Sequence, residues 1–373
     1  MANTLSFLVV AGEASGDLHA AAAVRALQHL RPEATCFGMG GDHLRACGVE
    51  TLYDANDVAV MGLTEVVSHL PVILGALSGL AKAAARRRPA AALLVDLPDF
   101  NLRLARRLRK LGIPVVYYVS PMVWAWRVGR TRALARDVAE VLCIYPFEEA
   151  FLRERGVHAR YVGNPLLEDC LPALALPPPT DPLALRLAIL PGSRRAEIAR
   201  LFEPMLAAVA LLAKAQPVEI AISVAPTIPV ATLQETLDRL GVTALLVPGN
   251  SRAVLRWSQV ALVKSGTVTL EACLEERPMV VVYRTSAMTF LAARRLLRVP
   301  FVSIVNLLAG RALVPELLQD AATPAAMAAA LQDVQARRVD LIAGYREVRG
   351  KLGGPGAAER VATALLRQAI KED

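Results

Sequence analysis

The amino-acid sequence predicts an α/β protein made of two doubly wound domains, and three observations lead to this fold class. Short apolar, β-branched runs alternate with helical stretches in both halves of the chain. A stiff, Pro-rich segment at 171–183 separates the two series. The length of 373 residues, with 54% hydrophobic and 20% charged residues, suits two globular cores and argues against disorder.

The first half predicts βα units of a parallel sheet. Strands are expected over 6–10, 91–96 and 115–119 because these runs are short and rich in Val, Ile and Leu. Helices are expected over 17–30 and 101–111, the first after a Gly-containing turn at 12–16 and the second closed by Gly112-Ile113-Pro114. Strands separated by helices of this length predict right-handed crossovers.

The same alternation restarts after the Pro-rich segment. Strands are predicted over 187–190, 219–224, 244–247, 260–263 and 279–282, with a turn at 191–194 and a helix from there to about 213. The tail from about 342 is helical with one break at 353–356. We therefore predict an N-terminal domain over 1–170, a C-terminal domain over 184–344, and a terminal helix over 345–373 that packs back on the first domain. Such an arrangement predicts a ligand cleft between the domains, at the carboxyl ends of the strands.

Positive charge is concentrated in one window of the first half. Between Lys82 and Arg136 there are thirteen Lys and Arg residues and two acidic residues, Asp96 and Asp99. Such a field attracts nucleic acid, phosphorylated small molecules or acidic lipid. The window contains no nucleic-acid recognition motif, so we expect no nucleic-acid partner.

The cysteines and the apolar stretches indicate the compartment. The five cysteines are scattered without a C-x-x-C pair or a His cluster, so we expect neither a metal site, nor a cofactor, nor a disulfide framework. The N-terminus lacks the features of a signal peptide, which predicts a cytoplasmic protein. The apolar stretch 58–81 is interrupted by polar residues and Pro71, and its cleaner part, 70–81, is too short to span a bilayer and runs into Lys82 and the triplet 86–88. That pattern fits either a helix lying at a membrane surface or a buried helix with a solvated basic end.

Three glycine- and hydroxyl-containing loops follow predicted strands. The first is AGEASGD (Ala11–Asp17), whose helix-start amides could hold an anion or a sugar hydroxyl, although Ser15 or Asp17 could equally cap the helix. The second is LPGSRR (190–195), where Arg194 could grip a diphosphate beside the turn amides, or lie on the surface of a capped helix. The third, KSGTVTLE (264–271), offers a phosphate cradle with Glu271 one turn into the helix, or a variant of a capping box. Two such loops in one half favour a nucleotide.

Two further segments of the first half carry candidate chemistry. Asp99 follows the strand at 91–96, where a carboxylate could take a proton from an attacking alcohol, while Asn101 or Asp99 could instead cap the helix. The run VSPMVWAWR (119–127) places Trp124 and Trp126 beside Arg127. Aromatic surface next to positive charge can hold an amphiphilic phosphate, and buried Trp packing is the alternative.

Taken together, these segments resemble the lipid-A-disaccharide synthase family. The resemblance rests on six runs that span nearly the whole chain in order: AGEASGD (Ala11–Asp17), PDFNLRLA (98–105), GIPVVYYVSPMVWAWR (112–127), LPGSRRAEI (190–198), SGTVTLEA (265–272) and VSIVNLLAGRALVPELLQ (302–319). It implies a GT-B fold, with two Rossmann-like domains and the nucleotide held mostly by the second. It also implies that UDP-2,3-diacylglucosamine and 2,3-diacylglucosamine 1-phosphate are joined into a β-1,6-linked disaccharide phosphate with release of UDP, at the cytoplasmic face of the inner membrane. The family can form dimers that exchange C-terminal elements, which leaves a homodimer open.

The resemblance also implies site residues. Asp99 looks like the family's candidate base, and Arg194 looks like the diphosphate-binding arginine. The other expected UDP or donor contacts are Ser193, Ser265, Gly266, Thr267, Glu271, Asn306 and Glu316. The residues expected near the acceptor or in the cleft are Glu13, Ser15, Gly16, Asp17, Asn101, Trp124 and Arg127. The mechanism we expect is direct displacement with inversion, in which Arg194 and helix amides stabilise the leaving UDP without a metal ion.

Two other readings stay open on the residues alone. The chain could be another UDP-sugar enzyme of GT-B type, such as a soluble epimerase or a transferase that makes a peptidoglycan precursor. A soluble epimerase would need neither the apolar stretch nor the basic field. It could also be a nucleotide-sensing membrane protein without turnover, which would bind UDP and transfer no sugar.

Overall fold

The computed structural model describes residues 5–58, 63–168, 174–286 and 299–370, with the side chains of 56 and 63–69 left out of the description. The chain folds into two compact units. The first unit consists of Met1–Cys170 together with Gly354–Asp373, and the second is Leu171–Gly353. Each unit contains one parallel sheet with helices around it, so the prediction of two Rossmann-like α/β domains is confirmed.

The first unit is built on a sheet of parallel strands with the order β3-β2-β1-β4-β5-β6-β7. Its strands are β1 (Ser6–Ala11), β2 (Thr35–Gly40), β3 (Glu50–Asp54), β4 (Ala91–Val95), β5 (Val115–Tyr118), β6 (Glu140–Cys143) and β7 (Ala159–Tyr161). Its helices up to residue 168 are α1 (Ala14–Leu30), α2 (Asp42–Ala46), α3 (Ala55–Val58), α4 (Leu63–Arg87), α5 (Pro98–Lys110), α6 (Thr131–Asp137) and α7 (Pro146–Arg153). The chain reverses its direction of travel across the sheet between β1 and β4, which are neighbours.

Both faces of this sheet are buried, because successive side chains of a strand point to opposite faces. Along β1, Leu8 and Val10 pack into a core on one face, and Phe7 and Val9 pack into a second core on the other. These four side chains have no solvent exposure. The continuous apolar run of β1 is therefore what a central strand covered on both sides requires.

The second unit repeats the architecture with the strand order β10-β9-β8-β11-β12-β13. Its strands are β8 (Leu185–Leu190), β9 (Val218–Val224), β10 (Leu245–Pro248), β11 (Val260–Lys264), β12 (Met279–Tyr283) and β13 (Glu316–Leu318). Its described helices are α8 (Arg195–Leu212), α9 (Val230–Leu240), α10 (Ser251–Trp257), α11 (Thr267–Leu274), α12 (Ile304–Ala309), α13 (Pro324–Ala336) and α14 (Arg338–Leu352). Here the direction of travel reverses between the neighbouring strands β8 and β11.

The tail predicted as one broken helical region is two helices that belong to different units. Helix α14 is part of the second unit, and only α15 (Ala357–Ile370), which follows the predicted break, belongs to the first. Helix α15 packs against α1, and its Arg367 donates to both oxygens of the buried Glu140 carboxylate on β6, at 2.9 and 2.7 Å. Arg360 of α15 donates to the Val162 carbonyl at 2.6 Å.

The strands predicted from sequence are all present, and the starts of two helices differ from the prediction. Helix α1 begins at Ala14 and α5 at Pro98, each three residues earlier than expected. Proline suits the first turn of a helix because its missing N–H would have no partner there. No helix within the described residues is long and apolar enough to cross a membrane. Residues 59–62 and 171–173, which belong to the predicted membrane-surface stretch and linker, lie outside the described residues.

Candidate functional site

The two points of reversal place the predicted loops at the carboxyl ends of neighbouring strands. In the first unit these are the turns after β1 and β4, and in the second unit the turns after β8 and β11. Open parallel sheets bind ligands at such points because adjacent loops run in opposite directions and leave a crevice. The AGEASGD, LPGSRR and KSGTVTLE loops and Asp99 all fall at these places.

The AGEASGD loop of the first unit is anchored by Asp17. Its carboxylate is buried and accepts the backbone N–H groups of Gly41 at 2.7 Å and His43 at 2.9 Å. Gly16 is buried and Ser15 exposed, and Glu13 occupies the N-cap position of α1 without a capping hydrogen bond from its side chain. The capping alternative for Ser15 and Asp17 is therefore wrong, and Asp17 instead fixes the loop that follows β2.

The turn after β4 is strained and contains Asp96, a carboxylate that was not among the site residues predicted from sequence. Asp96 and Leu97 adopt positive φ angles of 50° and 45°, which costs energy and is typical of functional turns. The buried Asn101 amide holds this turn by donating to the carbonyls of Val95 at 3.1 Å and Asp96 at 2.8 Å. Tyr117 also donates its hydroxyl to the Asp96 carbonyl. Asn101 therefore shapes the turn from the inside.

The Asp96 carboxyl has the proton affinity of a group suited to acid–base chemistry. Burial, with a further contribution from the negative charge of Glu13, raises its pKa from 3.8 to about 6. Glu13 and Asp96 come from the loops after β1 and β4, so two carboxylates face the same crevice. A sequence signal existed, since Asp96 is the polar residue that ends an otherwise apolar run.

Asp99 lies on the surface in the first turn of α5. Its side chain is 73% exposed and forms ion pairs with Arg127, at 3.3 Å, and with Arg130. Both guanidinium groups also lie near the ring of Trp126, at 4.5 and 5.8 Å from its centroid. The structure thus brings Asp99 and Arg127 together, as the prediction of a shared site requires, and adds Arg130 and Trp126.

Trp124, in contrast, faces the protein interior. It is buried, its Nε1 donates to Glu148 Oε1 at 2.9 Å, and its ring meets Phe147 edge-on at 5.0 Å. The alternative of buried Trp packing is therefore correct for Trp124, and Trp126 is the indole that reaches the surface. Burial raises the pKa of the Glu148 carboxyl to about 7, against the hydrogen bonds donated to it by Trp124 and by the backbone of Tyr145 and Ile144.

In the second unit the two phosphate-type loops are joined by Glu197, in the first turn of α8. Its carboxylate pairs with the Lys264 ammonium at 2.7 Å and lies 3.6 Å from the Arg194 guanidinium. It also accepts the Ser193 backbone N–H at 3.2 Å. Gly192 has φ 122°, and a Cβ there would lie 2.5 Å from a Glu197 oxygen, so only glycine fits this turn. Sequence reasoning predicted Arg194 and Ser193 but missed Glu197 and Lys264.

The KSGTVTLE loop opens helix α11. Ser265 is buried and donates its hydroxyl to the Val302 carbonyl at 3.2 Å. Gly266 and Thr267 are exposed at the start of the helix. Glu271 accepts a hydrogen bond from the Ser251 hydroxyl, and burial raises the pKa of the Glu271 carboxyl. The capping-box alternative requires Glu271 to accept a hydrogen bond from the start of its own helix, whereas Ser251, which donates to it, belongs to α10.

Asn306 and Glu316 organise the segment after residue 302 from within. The Asn306 side chain has no solvent exposure; it accepts the Val314 N–H at 2.9 Å and donates to the Val314 carbonyl and to Glu316. Glu316 also accepts the backbone N–H groups of Val302 and Ser303, both at 2.9 Å. In this structure the hydrogen-bonding capacity of Asn306 is therefore used inside the protein, beside the loop that contains Ser265.

A protein-family model described as "Lipid-A-disaccharide synthetase" matches residues 7–339 of the chain. This match covers the loops of both units and most of the two sheets.

The chain belongs to the lipid-A-disaccharide synthase family.

It is accordingly an enzyme of this type, and relatives from several bacteria support this. The lipid-A-disaccharide synthase of Myxococcus xanthus (strain DK1622) is 50% identical over 381 residues, with 98% of each chain covered. The one from Anaeromyxobacter dehalogenans (strain 2CP-C) is 51% identical over 379 residues, with 97% of each chain covered. The match therefore extends beyond the separate motifs to both units of a synthase-family chain.

Solved structures at low identity show the same fold. The glycosyltransferase CalG4 superposes with a TM-score of 0.61 at 14% identity, covering 99% of this chain and 100% of that one. Arabidopsis thaliana UGT89C1, complexed with UDP, gives a TM-score of 0.63 at 14% identity, with coverages of 98% and 99%. Similarity to these glycosyltransferases shows that the synthase-family chain has the GT-B type of fold.

The part of the chain that the structure describes contains no group of three or more His, Cys, Asp or Glu side chains that could hold a metal ion. The loops at the two reversal points carry charged groups. Those of the first unit are Asp96 and the ion pairs of Asp99 with Arg127 and Arg130, and those of the second are the ion pairs of Glu197 with Lys264 and Arg194.

Proposed function

We propose that the enzyme joins UDP-2,3-diacylglucosamine to 2,3-diacylglucosamine 1-phosphate, forming a β-1,6-linked disaccharide 1-phosphate and UDP with inversion at the anomeric carbon. The observation that carries this proposal is the meeting of the LPGSRR and KSGTVTLE loops at the reversal point of the second sheet. There, Arg194 and the first-turn amides of α8 and α11 face a crevice suited to a diphosphate.

The donor's UDP would bind to the second unit. Arg194, exposed at the N-cap position of α8, would pair with the diphosphate, while amides at Gly266 and Thr267 add neutral donors. Glu271, already hydrogen-bonded to Ser251, has the carboxylate oxygens needed to accept from ribose hydroxyls. Stabilising the leaving UDP by these groups supplies the electrostatic help that its negative charge demands.

The acceptor's 6-hydroxyl needs a general base, and the first unit offers two candidates. Asp99, the base predicted from sequence, is exposed and occupied by two arginines, which suits a role in holding the acceptor phosphate through Arg127 and Arg130. Asp96, whose pKa is raised to about 6, is better matched to accepting a proton near neutral pH. We therefore propose Asp96 as the base and keep Asp99 as the alternative.

The acyl chains of both substrates place the reaction at a membrane surface, and helix α4 supports peripheral attachment to the cytoplasmic face of the inner membrane. Leu70, Val72 and Leu74 are 41–46% exposed in the same stretch of this helix. The last part of the helix is basic, and Lys82 and Arg86 are both exposed. Apolar residues beside cations suit the headgroup region of an anionic bilayer.

Thin-layer analysis of labelled acceptor incubated with donor tests the proposed reaction. The wild type should give a labelled disaccharide phosphate and stoichiometric UDP. Asp96→Asn should lower kcat by roughly 10² to 10⁴-fold, as expected for loss of a general base, while UDP affinity stays unchanged. Asp99→Asn should mainly raise the KM for the acceptor.

Three results would contradict parts of this proposal. A normal kcat in Asp96→Asn together with a collapsed kcat in Asp99→Asn would return the base to Asp99. Conversion of free UDP-N-acetylglucosamine without any acceptor would favour an epimerase. Binding of UDP with no transfer to any acylated glucosamine would favour a nucleotide-sensing protein.

Vesicle flotation tests the proposed membrane attachment. Leu74→Ser should reduce flotation with phosphatidylglycerol-containing vesicles, and unchanged flotation would exclude α4 as the attachment site.

A further inference from the structure

Lys264 is a half-buried cation to which the expected chemistry of the site gives no role. It is the last residue of β11, directly before Ser265-Gly266-Thr267, and its side chain is 14% exposed. An ammonium group is costly to bury, so a partner is required. That partner is Glu197, whose carboxylate is 11% exposed and lies 2.7 Å away.

The position of the ammonium is fixed by more than this ion pair. Lys264 Nζ lies 5.6 Å from the ring centroid of Tyr283 on the neighbouring strand β12. A Cβ placed on Gly266 would lie 3.8 Å from Nζ and would have no other side-chain or distant backbone neighbour within 4 Å. The ammonium therefore borders the open face of Gly266, at the amides that begin α11.

The charges around Glu197 do not cancel. One carboxylate faces two cations, Lys264 at 2.7 Å and Arg194 at 3.6 Å, so the cluster has a net charge of +1. A diphosphate arriving at Gly266 brings more negative charge than the single Glu197 carboxylate and can compete with it for the ammonium. Because Lys is a flexible point charge with three donors, it can move from one acceptor to another without rearranging the sheet.

We propose that Lys264 is a donor-binding residue that leaves Glu197 for the diphosphate, and that Glu197 holds the ammonium in readiness when no donor is bound. This inference rests on the proposed function, because it assigns a residue to the UDP subsite of the second unit. Lys264 would then act together with Arg194, so that the diphosphate is held between the cation that ends β11 and a cation in the turn after β8.

UDP binding by calorimetry to single variants tests the assignment. Lys264→Met should weaken UDP affinity roughly 10- to 100-fold, the loss expected for one charge-assisted hydrogen bond. Uridine, measured by competition, should bind the variant as it binds the wild type. Lys214→Met, which removes an exposed lysine of the same unit, is the matched control and should leave UDP affinity unchanged.

Glu197→Gln shows whether Lys264 contacts the diphosphate directly or only orders the two loops through its ion pair with Glu197. Glutamine keeps an oxygen for the Ser193 N–H, but it removes the charge that competes with the diphosphate, so UDP affinity should stay equal or rise. If Lys264 served only to pair with Glu197, the two variants would weaken UDP binding alike, and that result would overturn the inference.

The remaining outcomes are also decisive. Wild-type affinity for UDP in Lys264→Met, with turnover intact in the wild type, would overturn this inference and leave the proposed function standing. Absence of UDP binding in the wild type would overturn both. If Lys264→Met does not fold, the double variant Lys264→Met/Glu197→Gln, which leaves neither charge of the ion pair unpartnered, decides. Weaker UDP binding than in Glu197→Gln alone supports the proposal, and equal binding contradicts it.

Discussion

The carboxyl of Glu148 should make the stability of the first unit depend on pH. The side chain is 1% exposed, between the Trp124 indole N–H and the backbone N–H groups of Ile144 and Tyr145. Burial raises its pKa from 4.5 to about 7. At ~1.4 kcal/mol per pH unit, this displacement corresponds to about 3 kcal/mol of folding free energy.

The sign of the effect follows from which state binds the proton. Between its unfolded pKa of 4.5 and its folded pKa of about 7, Glu148 is protonated in the folded state and ionised in the unfolded state. The stability that this protonation contributes is fully present below 4.5 and is lost as pH rises through about 7. The wild type should therefore lose about 3 kcal/mol from this group across that window, and Glu148→Gln, which cannot ionise, should not.

Urea unfolding followed by Trp fluorescence at several pH values measures the effect, provided that the difference between wild type and variant is analysed. The difference is needed because other buried groups titrate in the same range with opposite signs. Burial lowers the pKa of His19 to about 4, which makes stability rise with pH, while the raised pKa of Asp96, about 6, makes it fall. These contributions cancel in the difference. Glu154→Gln, which changes an exposed glutamate close to the same helix, is the control and should follow the wild type.

A difference curve that stays flat from acid to neutral pH would refute the reasoning. It would mean that the Glu148 carboxylate is solvated in the folded state and that the Trp124 loop is not closed over it. The control could also refute the reasoning. If Glu154→Gln removed the same pH dependence of stability as Glu148→Gln, exposed carboxylates would explain the effect.

Three further substitutions have outcomes set by local geometry. Gly38→Ala should prevent folding of the first unit or lower its free energy of unfolding by more than about 3 kcal/mol. The reason is that Gly38 has a φ of 154° and that the new Cβ would lie 1.9 Å from the Val9 carbonyl oxygen. A soluble variant with native circular dichroism and melting temperature would contradict this. Asn306→Leu should lower the free energy of unfolding in urea by roughly 2–4 kcal/mol, since it leaves the buried N–H and carbonyl of Val314 without their partner. A loss below about 0.5 kcal/mol would show that the loop does not depend on the Asn306 amide. Arg367→Met should lower the free energy of unfolding by about 2 kcal/mol and make the C-terminal helix susceptible to limited proteolysis, because the buried Glu140 loses a guanidinium that donates to both of its oxygens. Unchanged protease resistance would refute that role.

Much of the framework was predictable because strands and helices have local signatures. The apolar runs of β1, β4, β8 and β11 identified central strands, and the Gly- and hydroxyl-containing loops after them identified the crevices. Strand β2 was not predicted, since its sequence TCFGMG contains two glycines, which are poor strand formers. It forms because Gly38 allows β1 to approach closely.

Side-chain partners were harder to predict than elements. Trp124 and Trp126 are two residues apart in one loop, yet one is buried on Glu148 and the other lies near two arginines at the surface. Its position after a strand and the family resemblance predict Asp99 as the base, although burial raises the pKa of Asp96 to about 6, which suits a base better. Burial and partner charge depend on residues distant in sequence, so no local pattern contains them.

The sequence by itself determined the class of fold, the order of strands along the chain, the loops that carry chemistry and, through its motifs, the family. The tertiary structure decided which cations meet which carboxylates. Lys264 and Glu197 are 67 positions apart and touch only because β11 lies beside β8. Hydrophobic periodicity is a property of neighbouring residues, whereas an ion pair across a sheet requires the strand order to be known, and that order is fixed only when both faces of the sheet are packed.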